Sequence, residues 1–228
     1  MTMTPKIADA RVHARQHRSR LRRQLASLEE RARSRAYASV TIARQTALRH
    51  DHRVAQPPRL ALDPPTGTLA LLDAQRVQTA IDASRSSPRR RVIAPLHKSH
   101  DDPLHRMLNA VQPDSYIRPH RHLDPPKAEG WVLLRGALAF FTFEDDGRVR
   151  ECLRVAAGGD PFGVDLAPGV YHAFVALEPD TVIYEVKPGP YAVSNDKSFA
   201  PWSPPEGDPK ADEYMQGLLA EYHRRGGV

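Results

Sequence analysis

The chain has 228 residues, with 33 Lys and Arg against 27 Asp and Glu and a formal net charge of +6. The surplus is uneven: residues 1–60 carry 14 basic and 4 acidic side chains, and the rest carries 19 and 23. No run reaches the roughly 18 apolar residues of a membrane span, the start from Met1 to Lys6 leads into polar sequence rather than an apolar signal core, and the one cysteine, Cys152, excludes a disulfide framework or a multi-cysteine zinc site.

Residues 1–60 are rich in Arg, Ala, Ser, Gln and His. Leu21, Leu25 and Leu28 have helical spacing, but three leucines bury little. Arg18, Arg20, Arg22, Arg23, Arg31, Arg33 and Arg35 surround them. Such an arm could neutralise nucleic-acid phosphates, although Tyr37 is almost its only stacking residue. The plainer expectation is a disordered or partly helical extension with a Pro-rich linker over residues 1–69. A third reading starts the natural product downstream of it.

Pro57-Pro58, Pro64-Pro65 and Gly67 mark the linker. A helix is expected from Leu71 to Ser84, with Asp73 placed for an N-cap and Ser86-Ser87-Pro88 as its end. Short strands follow: Arg91 to Ala94, Ser115 to His122, Trp131 to Leu134, Leu138 to Phe143, Val149 to Val155, Val164 to Leu166, Val170 to Leu177 and Thr181 to Lys187. Asp146-Gly147 signals a hairpin, and Pro119 makes its run an edge or irregular strand. Many short strands at spacings of about 8–12 residues point to an antiparallel sandwich or barrel. Asp212 to Tyr222 reads as a closing helix.

Within this body, His120 and His122 stand at i and i+2. On a strand their rings project from one face and can reach a single metal ion at about 2.0–2.2 Å. Glu129 begins the next strand after a loop of six residues, and a return there brings its carboxylate beside the rings. His172, just after Pro168-Gly169, qualifies as a fourth ligand.

The pattern of two histidines, Glu129, Gly136 and later Pro168-Gly169-x-x-His172 resembles the two-motif signature of the cupin superfamily. The gap from His122 to Glu129 is longer than that family's usual spacing. Ala167 replaces a usual proline, and Ala176 a usual asparagine. Segments from Ser99-His100-Asp101-Asp102-Pro103 through Glu185-Val186-Lys187-Pro188 to Asp196-Lys197-Ser198-Phe199-Ala200-Pro201-Trp202 narrow the likeness to the WbuC family of cupin metalloproteins. It runs from Leu71 to Tyr214. The resemblance implies an all-β fold over residues 70–228, a small antiparallel barrel or jelly roll with flanking helices. It puts His120, His122, Glu129 and His172 in the ligand positions of one divalent metal: Fe, Mn, Ni and Zn all accept such a set. Genes of that family accompany bacterial surface-polysaccharide genes, which implies a sugar-like anionic ligand. A cytoplasmic homodimer is expected.

Other residues have two readings each. Arg118 shares the histidine face and could hold a carboxylate or phosphate, or form a rim ion pair. Lys127 could contact an anion or donate a proton, or be a solvated loop residue. Tyr116 could hydrogen-bond a metal-bound oxygen, or pack in the core. Arg106 and Asn109, read as helix or loop, could line the pocket or lie on the surface. Glu185 could orient a metal-bound histidine or serve as a paired structural carboxylate. Three functions follow: a metal-dependent enzyme of isomerase, epimerase or oxygenase type, a binding or sensing module, and a nucleic-acid-associated protein acting through the arm.

Overall fold

The structure, a computed structural model, describes residues 60–192 and 196–227. The basic arm and its leucine stripe lie outside the described residues. Helix α1 spans Ala74–Ser86. It starts three residues later than expected because Asp73 is the cap: its backbone is extended and its carboxylate accepts from the Arg76 N–H at 2.9 Å. Leu71 and Leu72 therefore precede the helix and are exposed.

Among the described residues ten strands follow: β1 (Arg91–Pro95), β2 (Leu104–Val111), β3 (His120–Arg121), β4 (Glu129–Arg135), β5 (Ala137–Phe143), β6 (Val149–Ala156), β7 (Gly163–Leu166), β8 (Tyr171–Ala176), β9 (Thr181–Pro188) and β10 (Ser198–Phe199). Helix α2 (Ala211–Arg224) closes the chain. The strands form two antiparallel five-stranded sheets, ordered β1-β2-β9-β4-β7 and β10-β3-β8-β5-β6. This is the all-β jelly-roll class expected, with a helix on either side; among the described residues the strands form two facing sheets and no closed barrel.

The layering follows from the two-residue period of strands. In β5, Leu138 and Phe140 face the first sheet and pack with Trp131, Leu133 and Ile183. Ala139, Phe141 and Phe143 face the other way and pack against Met215, Leu218 and Tyr222 of α2. Both faces of β5 are thus buried, and all seven residues read as apolar or small. On the far side, Ala80 and Ile81 of α1 cover Val92, Leu108, Ala110 and Val182. Complete burial of Ile81 contributes about 2 kcal/mol. Gly136, at φ +74°, turns β4 into β5, and a Cβ there would lie 2.4 Å from the Thr181 hydroxyl.

Two segments differ from expectation. Leu104–Val111 is a strand, not a helix or loop, fully paired with β9 from Leu104↔Pro188 to Val111↔Thr181. From Ser115 to His122 only His120 and Arg121 join a sheet. Pro119 lacks the donor that would extend the ladder.

Candidate metal centre

The site lies where β3 and β8 of one sheet face β4 and β9 of the other. His120 pairs directly with His172 across β3 and β8. His172 and Phe174 share the inward face of β8, and Glu129 and Trp131 that of β4. Nitrogens of His120, His122 and His172 all come within 4.8 Å of one another, and all three side chains are buried. Glu129 reaches them from the opposite sheet. Its Oε1 lies 2.9 Å from His122 Nε2, and its Oε2 lies 3.1 Å from His172 Nε2.

The backbone fixes which ring nitrogen faces inward. His120 Nδ1 is 2.9 Å from the Arg118 carbonyl, and His172 Nδ1 is 3.0 Å from the Val170 carbonyl. His122 Nδ1 meets the Asp196 carbonyl. A carbonyl only accepts, so each Nδ1 carries a proton and donates it. In the neutral ring this leaves a bare lone pair on Nε2, the form that binds metals. Burial, with the nearby charge of Lys197, pushes the His120 pKa well below its usual range, so this ring is neutral.

These inward atoms have no partner of their own. His122 Nε2, His172 Nε2 and Glu129 Oε2 are buried without a hydrogen bond. The Lys187 ammonium, 3.4 Å from Glu129 Oε1, favours the ionised carboxylate. A carboxylate thus faces two nitrogen lone pairs at close range. Lone pairs so placed repel unless a cation lies among them.

Behind Glu129 is a buried charged cluster that the sequence reading left largely unassigned. Lys187 Nζ is 3.4 Å from Glu129, 3.3 Å from Glu185 and 3.6 Å from Asp196. Burial lowers its pKa, but Glu185, Glu129 and Asp196 together raise it above the usual lysine range. Asn109 donates to Glu185 from β2. Lys127 donates to the Pro190 carbonyl at 2.8 Å and lies 3.3 Å from Asp196. Glu129, Glu185 and Asp196 thus set three buried carboxylates against the two buried amines of Lys127 and Lys187.

The remaining candidates are placed apart from the ring nitrogens. Arg118 donates to Ser203 and the Ala200 carbonyl and lies over the Phe199 ring at 4.9 Å. Tyr116 is buried in the cluster under α2, its hydroxyl donating to the Pro204 carbonyl. Arg106, on the α1-facing side of β2, is 4.0 Å from Asp102. Lys127 is at the site, but its amine faces Asp196. A cleft of about 490 Å³ lined by Trp202, Pro204 and Tyr214 contains none of the candidate ligands.

A family model described as a domain of unknown function (DUF6016) matches residues 72–155, fewer than half of the chain. The match takes in His120, His122 and Glu129 and ends before His172. No curated protein matches the chain. Among solved structures, a variant of oxalate decarboxylase from Bacillus subtilis aligns over 43% of this chain and 24% of its own, at 18% identity and a TM-score of 0.35. KdgF from Halomonas sp. aligns over 46% and 80%, at 20% identity and a TM-score of 0.33. The cupin domain of Schizosaccharomyces pombe Cnp3 aligns over 43% and 64%, at 11% identity and a TM-score of 0.34. The chain spans about a quarter of the oxalate decarboxylase it matches. The chemistry of the site rests on the side chains described above.

Proposed function

We propose that the chain is a metal-binding cupin in which His120, His122, His172 and Glu129 hold one divalent transition-metal ion. The observation that carries this is the contact of Glu129 with two bare Nε2 atoms, buried and without hydrogen bonds. Atoms 2.9 and 3.1 Å apart could be bridged by one ion at the usual ligand distance of about 2.1 Å.

Such an ion supplies Lewis acidity to a bound oxygen. The protein's part is to hold the ligands. Backbone carbonyls orient the imidazoles, and Lys187 holds the Glu129 carboxylate from behind. A doubly charged ion turns the buried excess of one negative charge into an excess of one positive charge. A small anion complements that balance. A sugar-like ligand linked to surface polysaccharide follows from the family resemblance in the sequence.

The test is metal analysis of protein purified without chelators, with His120→Ala and His172→Ala as controls. Close to one bound ion per wild-type chain, lost in both variants, is the expected result. Wild-type protein without transition metal overturns the reading.

A further inference from the structure

A metal ion leaves one polar atom beside the site unexplained. Trp131 is 4% exposed, and its Nε1 is buried with no hydrogen-bond partner among the described residues. The orphaned atoms of His122, His172 and Glu129 are acceptors, which a cation satisfies. The indole N–H is a donor and can only be satisfied by an acceptor. A buried donor left unpaired costs about 1–3 kcal/mol, and buried tryptophans usually find a partner. Trp202 shows that usual arrangement, donating to the Asp145 carbonyl at 3.0 Å.

Strand register places Trp131 beside the ligands. It follows Glu129 by two residues on β4, so both side chains stand on the inward face. Its ring packs against the His172 ring, with centroids 5.6 Å apart. The rings of Phe140 and Phe174 meet it edge to face, at 5.3 and 5.2 Å.

Neighbouring polar groups are committed elsewhere. Glu185 lies directly opposite Trp131 on β9 and shares its face. One of its carboxylate oxygens accepts from Asn109, and the other meets Lys187. His172 directs its Nδ1 proton to the Val170 carbonyl, and its Nε2 faces Glu129. Phe140 and Phe174 carry no acceptor in their side chains. The acceptor for Trp131 therefore has to come from a molecule that the site binds.

We infer that Trp131 Nε1 is the hydrogen-bond donor to the ligand of this site, a small carboxylate with one oxygen on the ion and the other on the indole N–H. The inference rests on the metal reading and adds the residue that orients the ligand. A carboxylate suits a single neutral donor flanked by aromatic rings. A phosphate would set further charged oxygens against Phe140 and Phe174 without donors for them.

The test uses zinc-loaded full-length protein, uniformly labelled for nitrogen NMR and titrated with acetate and, separately, with inorganic phosphate. The chain has two tryptophans, and Trp131→Phe assigns their indole signals. Acetate should move the Trp131 N–H proton signal downfield and leave that of Trp202 in place. Backbone amide signals of β4 and β8 report acetate binding independently. By those signals Trp131→Phe should raise the half-saturating acetate concentration about tenfold, and phosphate should bind wild type more weakly than acetate does. A Trp131 signal that stays in place while the amides respond to acetate overturns the inference and assigns the N–H to the face of a neighbouring ring. Tighter binding of phosphate than of acetate overturns it too, as does wild type that binds zinc but not acetate. Wild type that binds no zinc overturns the metal reading, and this inference with it.

Discussion

The Glu129 carboxylate lies 2.9 Å from His122 Nε2 with no hydrogen bond between them. The His122 proton is directed instead at the Asp196 carbonyl. Two acceptors this close, from opposite sheets, set the two layers in repulsion when the site is empty. A metal ion reverses the sign of that contact. Stability and occupancy should therefore be coupled.

Removal of metal by a chelator should lower the melting temperature. A ligand present at about a hundred times its Kd stabilises by about 2.7 kcal/mol, worth about 5–10 °C for a chain of this size. Differential scanning calorimetry before and after chelation measures it. Identical traces would count against a shared ion.

Lys187→Met should destabilise the metal-free protein by about 3–5 kcal/mol, because Glu129, Glu185 and Asp196 would lose their shared cation. Added metal should recover part of the loss, since the ion then neutralises Glu129. Chemical denaturation with and without metal reads both effects. A loss unchanged by metal would separate Lys187 from the site.

Asp180 joins α1 to the turn between β8 and β9. It accepts from Arg85 Nε at 2.8 Å and from Gln112 at 3.1 Å. The Arg85 hydrogen bond lowers its pKa, which burial would raise. A lowered carboxyl pKa gives stability that is complete above the unfolded value of about 4 and lost as pH falls through the folded value. Asp180→Asn should therefore cost about 1–3 kcal/mol at pH 7 and progressively less below pH 4. Asn also tolerates the φ of +60° at this position. A penalty independent of pH would assign the effect to packing.

The fold class was legible because alternating apolar runs and Asp146-Gly147 speak through local chemistry. The histidines and Glu129 were legible because two share a strand face and the motif spacing names the others. Strand β2 was missed: Arg106 to Val111 mixes polar and apolar residues on both faces, one side meeting α1 and the other, through Val111, the core between the sheets. The Lys187 cluster was missed because it is assembled by pairing between strands, as in Trp131↔Glu185. Glu185 and Lys187, two apart on one strand face, were the available sign of it. Arg118 was assigned to the histidine face on strand alternation, but the chain before His120 is not paired in a sheet, so that parity does not apply.

Two of the three imidazoles are steered by carbonyls of their own segments, two residues upstream: Arg118 for His120 and Val170 for His172. No side-chain substitution can delete a carbonyl. The tripeptides Arg118-Pro119-His120 and Val170-Tyr171-His172 thus carry the orientation of their ligands within themselves. They are portable: either could be moved to an extended edge of another scaffold with its inward nitrogen already set. His122 alone would need a foreign loop to take the place of Asp196.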